Sequence, residues 1–206
     1  SGAAPMTAVL TIDNLHVAIG SSNVLRGVSL SVEAGEVRGL VGESGAGKSM
    51  VGRSIFGLLP AKAAVADGGI TFEGCDLLGM PERERRSLLG RRIALIPQDP
   101  MTSLNPVKRI GAQMGAILQH HLKLSKRAAH DRAAALLAEV AIRDPSRVLD
   151  LYPHELSGGM RQRVLIAMAF ACDPALVIAD EPTTALDVTV QRQVLQLVER
   201  LRQRHG

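Results

Sequence analysis

The sequence predicts an α/β protein with a mainly parallel sheet, and three features support this prediction. Short apolar runs typical of strands alternate with segments of helical periodicity along the 206 residues. The apolar run Glu36–Val41 leads through a glycine-rich loop into a helix that begins at Lys48. A second apolar run, Ala175–Ala179, ends in the carboxylates Asp180 and Glu181. Since ligands of such sheets bind beyond the carboxyl ends of the strands, these features place a site there.

The first half of the chain is expected to alternate strands and turns around one helix. A turn signal at 20–23 separates the earliest strands from the apolar run Val24–Leu30. The helix Lys48–Leu58 is expected to stop before Pro60. Besides Glu36–Val41, short apolar runs are predicted to be strands at Ala8–Asp13, Leu15–Ile19, Ile70–Phe72 and Ile93–Ile96.

The middle of the chain is predicted to be helical. Ile110–His121 and Lys126–Ala141 carry helical periodicity, and Ser125 is a suitable N-cap for the second helix. We place a small helical subdomain at 99–157, inserted into a core formed by residues 8–98 and 158–206. Two more helices are expected in that core, at Gly158–Ala171 and Val190–Arg204.

Composition narrows the class of protein without naming it. Hydrophobic residues make up 46% of the chain, which excludes a disordered protein, and the net charge of +4 indicates no particular partner. The cysteines, Cys75 and Cys172, are far apart, so we interpret them as small buried hydrophobes. No run approaches the roughly 20 apolar residues that span a bilayer, and no signal peptide is recognised near Ser1–Thr7.

The segment Gly42–Ser49 matches the pattern G-x-x-x-x-G-K-[ST] of a phosphate-binding loop. Glycines let the backbone wrap closely, so that successive N–H groups point at phosphate oxygens, and the helix N-terminus favours negative charge. Lys48 is expected to reach the β- and γ-phosphates, and the Ser49 hydroxyl to bind Mg²⁺. The motif indicates a nucleoside triphosphate but not which family of ATPases binds it.

The acidic pair Asp180–Glu181 suits the hydrolysis of such a ligand. Asp180, at the carboxyl edge of the sheet, is expected to hold Mg²⁺ directly or through water. Glu181 points elsewhere, and it is positioned to orient and deprotonate the attacking water. Alone, the pair is equally well explained as a polar strand end before the turn at Pro182.

A third motif, Leu156–Met160, makes the resemblance to a family specific. The sequence Leu-Ser-Gly-Gly-Met resembles the LSGGQ signature of ABC ATPases, with Met160 in the last place. Ser157 is a suitable N-cap, and Gly158 and Gly159 open the helix, which makes a second anion site. In the ABC family this helix binds the γ-phosphate of ATP that is held by the opposite subunit, so a shared site between two subunits is implied.

The resemblance covers the chain from about residue 8 and implies a P-loop NTPase core with an N-terminal antiparallel β subdomain. Gln98 resembles the family's Q-loop glutamine, which touches the metal site, and Asp187 lies in a segment that resembles the D-loop. The stretches 98–106, 152–163 and 179–191 resemble the oligopeptide, dipeptide and nickel importer subfamily. The implied residues for ATP are Ile19, Gly42, Glu43, Ser44, Gly45, Ala46, Gly47, Lys48, Ser49 and Met50. Those implied for Mg²⁺ are Ser49, Gln98 and Asp180, and those for catalysis are Glu181 and Gln98.

Two departures from the family pattern are visible. The upstream aromatic residue that stacks on adenine is replaced by Ile19, which we expect to weaken ATP binding because base–aromatic stacking is worth roughly 1–3 kcal/mol. The family's switch histidine follows one more strand after the D-loop helix. Here the helix ends at His205, so the C-terminal part of the family domain is expected to be missing. The chain as given is therefore expected to be a monomer that hydrolyses ATP poorly.

The implied function is ATP hydrolysis that powers a peptide importer. The expected partners are a second ATP-binding subunit, two membrane permease subunits and, indirectly, an extracytoplasmic binding protein, with no nucleic acid. The expected location is the cytoplasmic face of the inner membrane. Two alternatives stay open: import of nickel or another metal chelate, and a non-transport ABC ATPase of DNA repair, chromosome structure or translation.

Overall fold

The computed structural model describes residues 8–43, 47–180 and 188–205. The described residues divide into two compact units, one that ends at Leu89 and one that begins at Gly90. The first unit is built on an antiparallel sheet. The second contains a parallel strand pair and most of the helices.

The sheet of the first unit has four strands in the order β2-β1-β3-β4, and each neighbouring pair is antiparallel. This confirms the predicted N-terminal antiparallel β subdomain. The two strands predicted before residue 20 are one strand, with irregular pairing around Asn14, whose φ is +46°. The bulge kinks the strand without ending it. The strands are β1 Ala8–Ile19, β2 Ser22–Glu33, β3 Ala63–Phe72 and β4 Cys75–Asp76.

Two helices belong to this unit, α1 (Lys48–Phe56) and α2 (Glu82–Leu88). The first is the helix predicted after the glycine-rich loop. It ends two residues early because Gly57, with φ +65°, caps it in the left-handed conformation. The left-handed conformation favours glycine at this position, and an added Cβ would also displace the end of the Arg85 side chain, 2.5 Å away at Cζ.

The predicted strand Glu36–Val41 is absent from the described structure, and this prediction was wrong. Val37 is 71% exposed and Val41 98% exposed, and no described strand pairs with their backbone. The segment begins instead with a local turn, in which the Glu36 N–H donates to the carbonyl of Glu33 at 3.1 Å. An apolar run becomes a strand only where another strand supplies its hydrogen bonds, and that partner is not encoded locally.

The second unit contains β5 (Ile93–Ile96) and β6 (Leu176–Ala179), which pair in parallel. The chain between them is helical, as predicted for the middle of the sequence. Its helices are α3 Pro100–Ser103, α4 Ile110–Leu122, α5 Lys126–Glu139, α6 Pro145–Asp150 and α7 Gly158–Ala169, with a 3-10 turn at Pro153–Glu155. The helix α8 spans Val188–His205.

One apolar core joins the helices of the second unit. Met114 and Leu118 lie four residues apart on α4, so they share a face and are fully buried. The facing stripe of α5 has Ala129 and Ala133 at the same spacing, and small side chains allow close approach of the two helices. Ser125 caps α5 as predicted, since its side chain accepts a hydrogen bond from the Ala128 N–H at 3.2 Å. Within the described residues, no helix has both the length and the apolar character needed to cross a membrane.

Candidate functional site

The phosphate loop, Gly42–Ser49, leads into α1 in the first unit. Gly47 is the N-cap of α1 and has φ +86°, a conformation that favours glycine. A Cβ at Gly47 would lie 2.7 Å from Cδ2 of Leu25 on β2, so any larger residue there would displace the buried Leu25 side chain. Ser44, Gly45 and Ala46 lie outside the described residues.

Lys48 turns back onto its own loop. Its Nζ donates to the carbonyl oxygens of Gly42 at 2.8 Å and Glu43 at 2.9 Å. Helix α1 begins without a side-chain cap at Gly47 and without an acidic residue in its first turn. Ser49 and Met50 lie in that turn, half buried, and Ile19 is the half-buried last residue of β1. This end of α1 therefore combines an ammonium group with the positive end of the helix dipole, which suits an anion.

In the second unit, the parallel strands end in register. Ile96 of β5 pairs with Ala179 of β6, and the Asp180 N–H donates to the Ile96 carbonyl at 3.0 Å. Asp180 follows β6 directly and Gln98 follows β5 after Pro97, so both extend from the same edge of the pair. Gln98 is exposed and Asp180 half buried. The carboxyl-edge position predicted for Asp180 from sequence is thus the observed one, whereas Glu181 and Asp187 lie outside the described residues.

The signature turn, Ser157–Met160, begins α7. The Ser157 hydroxyl accepts a hydrogen bond from the Met160 N–H at 3.3 Å, which is the predicted N-cap. A Cβ built on Gly158 or Gly159 meets no atom within 4 Å among the described residues, and neither glycine has a positive φ. The chain's own packing therefore does not explain why glycine stands at these two positions.

The segment before the signature turn is held by its own polar contacts. The Glu155 carboxylate accepts from the Tyr152 N–H at 2.7 Å. The Arg109 guanidinium lies 5.7 Å from the centre of the Tyr152 ring, and its hydrogen bond with Tyr152 raises the pKa of Arg109. Arg109 also approaches the Asp150 carboxylate at 3.5 Å. These contacts hold the segment that leads into α7 against residues at the start of α4 and the end of α6.

Two features around this site were missed in the sequence. Arg161, one residue after the signature turn, donates through Nε to the Pro153 carbonyl at 2.7 Å. The short helix α3 follows Gln98, and the Asp99 side chain caps it by accepting from the Met101 N–H at 2.7 Å. The pair Asp99–Pro100 was the available signal, because a capping carboxylate followed by proline is typical of a helix start.

Comparison with known proteins agrees with these motifs. Residues 25–184 match the family described as ABC transporter. The dipeptide transport ATP-binding protein DppD of Bacillus subtilis is 48% identical over 97% of this chain and 61% of its own length. The probable D,D-dipeptide transport ATP-binding protein DdpD of Escherichia coli is 50% identical over 93% of this chain and 60% of its own length. The chain thus spans about three fifths of these relatives.

A solved structure with the same fold is a dimeric ATP-binding cassette in a post-hydrolysis state, bound to ADP and Pi. It superimposes with a TM-score of 0.81 at 25% identity, and the match covers 96% of this chain and 84% of that chain. The family match extends from β2 to beyond β6, and so includes the phosphate loop, the parallel strand ends and the signature turn. Together with relatives close to half identical in sequence, it shows that this chain belongs to the ABC transporter family.

Proposed function

We propose that the protein containing this chain binds and hydrolyses ATP to power an ABC importer for peptides. The observation that carries the ATPase part is the register of Ile96 with Ala179, which brings Gln98 and Asp180 to one edge of a parallel strand pair. The peptide part is supported by the names of the relatives, which describe transport of dipeptides, D,D-dipeptides and oligopeptides.

In this proposal the charged and polar groups have separate tasks. Lys48 exchanges its two loop carbonyls for the β- and γ-phosphates, which are stronger acceptors because they are charged. Mg²⁺ would be held by oxygens of Ser49, Gln98 and Asp180, the ligand type that this ion prefers, and would neutralise phosphate charge. Glu181 takes the proton of the attacking water.

The signature turn is proposed to act on ATP held by another subunit. The open space over Gly158 and Gly159 supports this, since glycine at both positions leaves the N-terminus of α7 accessible to close approach from outside the chain. A γ-phosphate held there would meet backbone N–H groups and the positive end of the α7 dipole. The second ATP-binding subunit is either another copy of this chain or a related chain.

The remaining partners are proposed to be two membrane permease subunits at the cytoplasmic face of the membrane, supplied by an extracytoplasmic binding protein. The segment Asp99–Met114 is proposed to contact the permeases. It directly follows Gln98, and Met101 and Val107 on it are 61% and 79% exposed. A surface next to the proposed metal site can move when the γ-phosphate is bound or released. It can therefore transmit the nucleotide state to the permeases.

The test is to purify the full-length protein with its natural membrane subunits and binding protein in lipid vesicles. Dipeptides and longer peptides are added outside, and ATP hydrolysis inside is followed together with peptide uptake. We expect peptides to stimulate both, and a nickel chelate to stimulate neither. Stimulation by the chelate alone would contradict the peptide assignment, and ATP hydrolysis with no permease association would contradict the transport assignment.

A further inference from the structure

A groove lies in the second unit, between the chain that follows α5, the helix α6 and the start of α7. Its volume is about 490 Å³, within the roughly 300–1,000 Å³ typical of small-molecule sites. The floor is apolar, because Ile142 and Val148 are buried and Leu151 and Met160 are half buried against the same core. The apolar part of a ligand would therefore leave water in this groove.

The two acidic residues of the groove are already used by local structure. Asp144 caps α6, since its carboxylate accepts from the Arg147 N–H at 3.2 Å. Glu155 accepts from the Tyr152 N–H at 2.7 Å. Each carboxylate is thus explained by the backbone turn that it holds, and neither indicates a cationic ligand.

Three arginines line the groove, and they differ in their contacts. Arg163 on α7 is half buried, and its Nη1 donates to the Val140 carbonyl at 2.7 Å. Arg143 and Arg147 are exposed, and neither guanidinium has a hydrogen bond or an ion pair with a residue that the structure describes. Two guanidinium groups at the rim are therefore available to a ligand without breaking a contact of the fold.

We propose that this groove binds a small amphipathic carboxylate, with its apolar body on the floor and its carboxylate at Arg143 and Arg147. A planar guanidinium matches the two oxygens of a carboxylate, and such a pair is stronger beside apolar walls than in open water. Three arginines against two acids make the groove net positive, which disfavours a cation. The inference stands apart from the proposed function, because it requires neither ATP nor a second subunit.

Met160 places this site beside the signature turn. It lines the groove and is also the last residue of Ser157–Met160. A ligand on the floor would therefore contact the first turn of α7. The methyl group of Met160 is for this reason a direct reporter of occupancy.

The test titrates the full-length protein with octanoate, octanol and octylammonium, which share a chain length and differ in charge. We expect calorimetry to show octanoate binding at least tenfold more tightly than octanol, because a hydrogen bond to a charged group is stronger than one to a neutral group. Octylammonium should not bind. With carbon-13 on the methionine methyl groups, octanoate should shift the NMR signal that disappears in Met160→Leu.

A double variant tests the two arginines. Arg143→Gln with Arg147→Gln should weaken octanoate binding about tenfold or more and leave octanol binding unchanged. The matched control is Lys126→Gln with Arg127→Gln, which removes the same charge from exposed positions at the start of α5. Its affinity for octanoate should equal that of the wild type. Thermal unfolding checks that both double variants are folded.

Several outcomes would overturn the proposal. Octanol that binds as tightly as octanoate, or octanoate that does not bind at all, would exclude a carboxylate site. Equal losses in the two double variants would assign the effect to net charge instead of the groove. Binding to the free protein but not to the transporter assembled with its permeases would make a permease segment the occupant of the groove.

Discussion

The ammonium nitrogen of Lys48 lies 2.8 Å from the carbonyl oxygen of Gly42, so the cation of the phosphate loop is held by the loop itself. With a second bond to Glu43 at 2.9 Å, the group is kept near the place where phosphates are expected. Both bonds are exposed, so water competes for the same groups and each bond adds little to folding. The two carbonyls therefore compete only weakly with a phosphate.

Lys48→Ala is expected to lose ATP binding while the fold is kept. A hydrogen bond from a charged group is worth about 1.5–3 kcal/mol, so the Kd for ATP should rise about tenfold or more. A fluorescent ATP analogue measures the Kd, and thermal unfolding monitors the fold. The control is Arg53→Ala, which removes a positive charge from an exposed position of the same helix. Equal loss of binding in both variants would mean that only net charge matters.

Glu181→Gln is expected to keep ATP binding and lose turnover. Removal of a general base lowers the rate about 100-fold to 10,000-fold, and the trapped ATP should accumulate closed dimers that size-exclusion chromatography detects. The control is Glu199→Gln on α8, where a hydrogen bond from Arg202 lowers the pKa of the carboxyl to about 2 and keeps it charged. That variant should turn over ATP normally. Normal hydrolysis by Glu181→Gln would show that another group acts as the base.

Gly158→Ala separates folding from function in the signature turn. An added Cβ meets nothing within 4 Å among the described residues, and alanine favours helix more than glycine does. Stability should therefore be unchanged or rise by up to about 1 kcal/mol, while ATP turnover of the assembled dimer falls. Gly115→Ala in α4 has the same chemistry without a role in the site, and its turnover should match wild type. Full activity of Gly158→Ala would contradict the proposal that glycine is needed at this position for the approach of ATP from another subunit.

Crosslinking tests the surface that follows Gln98. A cysteine in place of Val107, which is 79% exposed, should form a crosslink to a permease subunit. Leu104, also in this segment, is only 2% exposed and unsuited to the experiment. The background is Cys75→Ser, because Cys75 is exposed and the buried position predicted for it was wrong. Cys172 is buried as predicted, and burial raises the pKa of its thiol. A cysteine at the exposed Thr11 on β1 should give no permease crosslink, and the reverse pattern would place the contact on the β subdomain.

The sequence predicted those parts of the fold that are determined by residues close together in the chain. Ser125 and Ser157 were recognised as caps because a hydroxyl before a periodic segment satisfies the N–H groups of a helix start. The strand Ile93–Ile96 was predicted with its observed bounds because it is short, apolar and bounded by a proline. The same information predicted that Gln98 and Asp180 follow strand ends.

Two of the missed features, the conformation of Glu36–Val41 and the contacts of Arg161, depend on partners distant in sequence, whereas two short helices were missed for a local reason. Glu36–Val41 has the composition of a strand but no described strand to pair with, so composition alone misled. Helices α3 and α6 are too short for a periodic signal, although each begins with Asp-Pro and a capping carboxylate. Arg161 escaped notice because its contacts, Pro153 and Met101, become neighbours only after the helices have packed.

The signature turn of this chain is proposed to complete an ATP site on another subunit. The direct measurement uses the full-length Lys48→Ala variant, tagged and mixed with an intact second ATP-binding subunit, Mg-ATP and vanadate. Vanadate held in the γ-phosphate position cleaves nearby backbone under ultraviolet light. We predict cleavage within Ser157–Met160 of the tagged variant, whose own ATP binding is weakened, and only when the intact subunit is present. Cleavage confined to the subunit that holds the nucleotide would contradict the shared site.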